Sequence, residues 1–304
     1  MGQTPDPYAD AAAQLGTIRD LLRFAVTRFR ANDLAFGHGF SDARAEAAYL
    51  IGWALDLPHA DFDQYLDARL TREEIAAIVE ILRRRAEARI PSPYLTQEAW
   101  LGDYRFHVDE RVLIPRSFIA DLLHEGLAPW VADPESIGSA IDVCTGSGCL
   151  AILLADAFPS ARVHGSDIST DALEVARVNV CDYGLGDRIE LLQSDLMNGL
   201  ADRRYDIVVC NPPYVDAAGM TALPQEYRHE PALALAGGAD GLDLVRKLLK
   251  QAPMHLASGG LLVVEIGHNR GALEAAYPTV PFTWLETHAG DEFVFLLRRE
   301  ELPA

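Results

Sequence analysis

From residue 140 onward, short apolar runs alternate with segments of helical periodicity, and that alternation admits few folds. Runs at 140–144, 163–167, 189–193, 205–210 and 261–266 read as buried parallel strands. Segments through 157, around 172–180 and over 242–256 supply the connecting helices, in the doubly wound α/β manner. Two late runs, 282–286 and 293–297, are joined by a tight Ala-Gly-Asp connection. That ending does not suit a dehydrogenase-type sheet. It predicts seven strands with an antiparallel last strand.

The N-terminal part differs in character. Between residues 18 and 89 apolar side chains recur at helical spacing: Ile18, Leu21, Leu22 and Ala25, then Ala45, Ala48 and Tyr49, then Ile75, Ile78, Val79 and Leu82. Thr71 and Glu74 have the spacing of a capping box at the start of the last of these helices. Residues 1–93 should form a helical bundle. Residues 94–115, where Tyr104, Phe106 and Val108 alternate with polar neighbours, should form a β-hairpin connector. A helix is expected over 118–127, and residues 116–304 should form the main domain. Arg83, Arg84 and Arg85 read as a solvated helix end that complements the helix dipole, with an RNA contact left open.

Charge narrows the partners. The net charge is −19, and it is unevenly placed: residues 1–95 carry 11 basic and 14 acidic side chains (−3), residues 96–304 carry 15 and 31 (−16). Such a surface repels phosphate backbones and attracts basic proteins, which disfavours naked DNA. No apolar stretch approaches the roughly 20 residues of a membrane span. The start has neither a secretory signal nor a myristoylation motif, so a cytoplasmic protein is expected. Cys144, Cys149, Cys181 and Cys210 form no Cys-x-x-Cys pair and read as buried, reduced thiols. No metal site is indicated by the spacing of the histidines.

The chemistry concentrates at strand ends. Asn211-Pro212-Pro213-Tyr214 follows the run 205–210, at the carboxyl edge where open α/β sheets bind ligands. The prolines stiffen the turn and remove two N–H donors. The Asn211 side-chain oxygen and the Pro212 carbonyl then become acceptors beside the Tyr214 ring, suited to a planar group carrying an NH2. The glycines of Asp142-Val-Cys144-Thr145-Gly146-Ser147-Gly148 allow close ligand approach after the first strand. Asp167, 21 residues beyond Gly146, can accept from ribose hydroxyls, and Asp195 can accept from an adenine amine while Leu196 packs on the ring. Each acid alone could be a loop or cap residue. Together they outline a nucleotide-type pocket for NAD or S-adenosylmethionine. Hydride transfer would need a proton-handling group near the fourth or fifth strand. What stands there is Asn-Pro-Pro-Tyr, which suits methyl transfer.

These motifs, with Arg228-His-Glu-Pro231, resemble the class I S-adenosylmethionine-dependent N(5)-glutamine protein methyltransferases over nearly the whole chain. Pro115-Arg116-Ser117-Phe118-Ile119, Cys144 in place of the first glycine, and the late segment 280–286 resemble the branch acting on large-subunit ribosomal protein L-three. The branch acting on peptide release factors is the alternative, and an adenine amino-methyltransferase a more distant one. The resemblance implies a Rossmann-like seven-stranded sheet and turnover of S-adenosylmethionine to S-adenosylhomocysteine. It places Asp142 through Gly148, Asp167, Ile168, Asp195, Leu196 and Asn211 around the donor, and Asn211, Pro212, Pro213 and Tyr214 around the target glutamine. By the same resemblance, Ile114, Pro115 and Arg116, and the segment from Glu230 to Gly241, would border the substrate channel.

Overall fold

Local capping signals set the N-terminal helices. Asp6 accepts from the Tyr8 N–H at the start of α1 (Pro7–Gln14), and Thr17 with Asp20 forms a capping box on α2 (Ile18–Ala31). Asp42 caps α3 (Ala43–Ala54), and the Thr71–Glu74 box opens α4 (Arg72–Glu87) as expected. Their apolar faces meet in one core that includes Phe29, Leu50, Ile51 and Ile78. The structure, a computed structural model, describes residues 6–303.

The chain forms two compact units. One comprises the chain up to Glu98 together with Pro224–His229; the other comprises Ala99–Leu223 and the chain from Glu230 onward. In the first unit Arg85 is 1% exposed. It donates from Nε and Nη2 to the Glu46 carboxylate (2.8 and 3.0 Å). The same carboxylate accepts from Ser92 Oγ, and Glu226 pairs with Arg89 at 2.8 Å and Arg85 at 3.6 Å. The expectation of a solvated Arg83–Arg85 helix end is therefore corrected. Arg84 is exposed, but Arg83 pairs with Asp6 over the Tyr8 ring, and Arg85 is a core residue. A guanidinium whose partners are supplied by other segments can be buried, and helical periodicity alone cannot show those partners.

Tyr94, expected in the β-prone connector, lies instead in α5 (Ser92–Thr96), which Pro93 helps to start. A two-stranded hairpin follows, β1 (Glu98–Leu101) and β2 (Tyr104–His107). The helix expected over 118–127 is shorter: α6 spans Ile119–His124, because Gly126 (φ 62°) and Leu127 (φ 55°) turn the chain left-handed.

The main sheet has seven strands: β3 (Ser139–Val143), β4 (Arg162–Asp167), β5 (Ile189–Gln193), β6 (Tyr205–Cys210), β7 (Leu256–Glu265), β8 (Thr283–Thr287) and β9 (Gly290–Arg298). Their order is β5-β4-β3-β6-β7-β9-β8, with β9 antiparallel to both neighbours. The last hairpin turns at His288 and Ala289, one step earlier than expected, so Gly290 and Asp291 already belong to β9. Helices α7 (Cys149–Ala157), α8 (Thr170–Asp182), α9 (Ala217–Ala222), α10 (Asp243–His255) and α11 (Arg270–Ala276) complete the unit. Val245, Leu248 and Leu249 of α10 pack with Ile141, Val208 and Leu262 from the strands. The cysteines depart from expectation: Cys210 is buried, Cys144 and Cys149 are partly exposed, and Cys181 is exposed. Position in an apolar stretch does not say which face of a helix or turn a thiol occupies.

Candidate active site

Strands β3 and β6 run side by side with Val143 opposite Cys210, so the turns that follow them leave the sheet together. The strand order reverses at this pair, the position at which open α/β sheets generally bind ligands. In the first turn Cys144, Gly146 and Gly148 all have positive φ (63°, 54° and 81°). Cys144 thus holds a conformation that costs a side chain of order 1 kcal/mol and a glycine nothing. Thr145 and Ser147 are buried. Thr145 N–H donates to the Ser166 carbonyl (2.9 Å), and the Ser147 carbonyl accepts from Asn179 Nδ2 (2.8 Å), which ties the turn to β4 and α8.

Two carboxylates face this turn. Asp142 is 1% exposed; its Oδ2 accepts from Thr145 Oγ1 (2.6 Å) and the Ala151 N–H (3.1 Å). Its Oδ1 has no partner among the described residues, and burial pushes the carboxyl up to about 7. Asp167, at the end of β4, is anchored by the Gly146 N–H to Oδ2 and the Ser169 N–H to Oδ1 (both 2.9 Å). Burial raises its pKa too. Each oxygen keeps a lone pair for a further donor. Ile168 beside it is 50% exposed. Asp195 is exposed just beyond β5, whereas Leu196 is 4% exposed and packs in the core with Met197 and Leu200. The exposed apolar surface at this edge comes from Ile168.

The second turn is built differently. Asn211 Nδ2 donates to the Arg116 carbonyl (3.2 Å), and its Oδ1 accepts from none of the described residues. Pro212 and Pro213 are buried, and Asn211 and Tyr214 partly exposed. Arg116 binds Glu230 through both terminal nitrogens (2.6 and 2.7 Å), and the Ile114 N–H donates to the same carboxylate (3.0 Å). Ile114, Arg116 and Glu230 are thus tied together, Pro115 lies between the first two in the chain, and the Arg116 carbonyl is what meets Asn211. Glu230, however, is 4% exposed and binds both the Arg116 guanidinium and the Ile114 N–H, so it supports these residues from within the fold.

Tyr214 is fixed on several sides. Its hydroxyl donates to Glu265 Oε1 (3.0 Å), and its carbonyl accepts from Asn269 Nδ2 (2.9 Å). A Cβ on Gly267 (φ 55°) would lie 2.7 Å from the ring, and one on Gly241 (φ 77°) 2.4 Å from the carbonyl oxygen. Only glycine fits at either position. Burial beside Glu265 raises the Tyr214 phenol well above its ordinary pKa and keeps it protonated. Glu265, Gly267 and Asn269 escaped the sequence reading. The available signal was Glu265 itself, an acid directly after the buried run Leu262-Val263-Val264.

Residues 123–227 match the family described as Methyltransferase small domain. Much longer matches come from curated relatives. The ribosomal protein uL3 glutamine methyltransferase of Neisseria meningitidis serogroup B is 55% identical over 97% of this chain and 97% of its own length. The chain belongs to this family of glutamine methyltransferases. The uL3 glutamine methyltransferases of Bordetella pertussis (55% identical, 95% of this chain and 97% of the relative) and Burkholderia pseudomallei (52%, 100% and 99%) match equally broadly. As a member of that family the protein is a methyltransferase, and its mixed seven-stranded sheet is that of the class I enzymes.

Proposed function

We propose that the protein transfers a methyl group from S-adenosylmethionine to the side-chain amide nitrogen of a glutamine in ribosomal protein uL3. The observation that carries the chemistry is the orientation of Asn211: its Nδ2 donates to the Arg116 carbonyl, which leaves its Oδ1 as an acceptor with no donor among the described residues. The choice of protein substrate rests on the names and high identity of the relatives.

The first turn fits the donor. An unpartnered, buried carboxylate oxygen on Asp142 suits an ammonium, the N–H-anchored oxygens of Asp167 suit ribose hydroxyls, and exposed Ile168 suits the flat face of a base. Leu196, already part of the core, contributes support beneath, and Asp195 an exposed acceptor. Bound there, the donor supplies an electrophilic methyl on a sulfonium. Asn211 Oδ1 and the Pro212 carbonyl accept the two amide N–H bonds and aim the nitrogen lone pair at that methyl. Nitrogen gains the carbon bond while sulfur keeps the electron pair, and positive charge grows on nitrogen. Both acceptors then bind more strongly than in the ground state, which lowers the barrier. The extra proton leaves to water. Tyr214 and Pro213 hold the slot flat and rigid.

Residues 96–304, at −16, suit a basic protein substrate and disfavour DNA. A cytoplasmic setting accords with a ribosomal substrate, and among the described residues no helix is long and apolar enough to cross a membrane. The test is methyl transfer from labelled donor to uL3, a class I release factor and duplex DNA, with the label located by mass spectrometry. Label on one uL3 glutamine is expected. Label on the release factor overturns the substrate, and label on adenine overturns the amide chemistry. Asn211→Ala should lower single-turnover methylation by about a thousandfold while the protein stays folded; near-normal turnover would refute the role of this acceptor.

A further inference from the structure

Glu265 ends β7 with its carboxylate 1% exposed and no basic partner among the described residues. Three donors hold it: Tyr214 Oη to Oε1 (3.0 Å), Ser117 Oγ to Oε2 (2.7 Å) and the Phe118 N–H to Oε2 (2.9 Å). Ser117 Oγ also accepts from the Ile119 N–H (3.2 Å), so its own proton points to Glu265. One carboxylate therefore joins two turns far apart in sequence. One carries Tyr214; the other follows directly on Arg116, whose carbonyl orients Asn211. Burying a carboxylate without a cation is unfavourable, and an apolar side chain would fill the space more stably.

We propose that Glu265 is a positioning residue for the transfer reaction, acting through Tyr214 and the Ser117–Phe118 turn; this rests on the function proposed above. Because it can only accept, it forces Tyr214 to donate, which fixes the hydroxyl and, with Gly267 against the ring, the ring plane. Its uncompensated negative charge lies one hydroxyl away from the slot wall. There it favours the positive charge that grows on the amide nitrogen, an interaction absent from the ground state. A purely structural bond would affect folding without selecting the transition state.

The experiment compares Glu265→Gln, Tyr214→Phe and the double variant in the full-length protein. Glutamine keeps the shape and can still bind both turns, but it carries no charge. Glu265→Gln should lower kcat on uL3 by about 10- to 100-fold, with KM for both substrates within about twofold of wild type. In the Tyr214→Phe background the same change should cost less than about threefold, because the link is already cut. Wild-type kcat in Glu265→Gln, a rise in KM alone, or full additivity in the double variant overturns the proposal. Carbon-13 NMR of tyrosine-labelled protein, with the Tyr214 signal assigned by its loss in Tyr214→Phe, gives a readout independent of turnover. A shifted Tyr214 signal in Glu265→Gln is expected, and an unmoved one overturns the link even if uL3 proves not to be the substrate. Should Glu265→Gln fail to fold, Ser117→Ala removes one donor and should lower kcat several-fold at unchanged KM; unchanged kcat there overturns the proposal.

Discussion

The two units bury carboxylates on opposite terms. In the helical unit Glu46 and Glu226 are held by the guanidinium groups of Arg85 and Arg89. At the sheet edge Asp142, Asp167 and Glu265 are held by hydroxyl and backbone donors, with no ion-pair partner among the described residues, and burial raises all three pKa values. A paired buried charge has its counter-ion built in, which cancels much of its field. An unpaired one retains a field that a cationic ligand or a developing positive charge can use. Glu230 sharpens the distinction. It lies among the candidate site residues, yet it is paired with Arg116 in the manner of the helical unit.

The comparison breaks most visibly at Arg85. Arg85→Ala leaves the buried Glu46 carboxylate without its cation and Glu226 with Arg89 as its remaining ion-pair partner among the described residues, so urea unfolding should show a loss of about 3–5 kcal/mol. Donor affinity of the folded fraction should remain at the wild-type value; a variant as stable as wild type would remove the structural half of the contrast. Asp167→Ala should do the reverse. Calorimetric titration should find donor binding weakened by about 10- to 100-fold, with a far smaller loss of stability than Arg85→Ala.

The pH dependence of the ligand-free protein supplies a finer test. Asp142 binds its proton more tightly folded than unfolded, so its contribution is full below about pH 4 and declines as pH rises toward its folded value of about 7. The slope is at most about 1.4 kcal/mol per pH unit, and Asp167 and Glu265 add to it in the same direction. Asp142→Asn should flatten the fall in melting temperature between pH 5 and 7. An unchanged slope would mean that this carboxylate is not the one being desolvated. Thr71→Ala, which cuts an exposed cap and leaves both buried sets intact, should cost only about 1 kcal/mol and leave kinetics untouched.

Much of this architecture was legible along the chain. The limits of β5 and β6 follow from apolar runs bounded by polar residues, and the α4 start follows from the Thr71–Glu74 spacing. Asp142, Gly146, Gly148, Asp167 and Asn211 could be singled out because strand-end position and residue type already restrict what a side chain can do. Arg85 and Glu265 were not legible. Arg85 looked like its exposed neighbour Arg84, and Glu265 like any polar residue closing a strand. Leu196, a candidate for packing on a base, has a left-handed backbone (φ 54°) and a side chain in the core cluster with Met197 and Leu200, a setting its position after β5 does not reveal.

The sequence by itself determined the alternation of strands and helices, the caps, and the chemical types gathered at the carboxyl edge, because periodicity and residue chemistry are local properties. Tertiary structure alone decided which carboxylates meet a guanidinium and which meet only hydroxyl and N–H donors. It also decided that Ser117, Tyr214 and Glu265 share one bond network. Those outcomes depend on contacts between segments far apart in the chain, where desolvation and partner geometry, rather than residue identity, set what a charge can do.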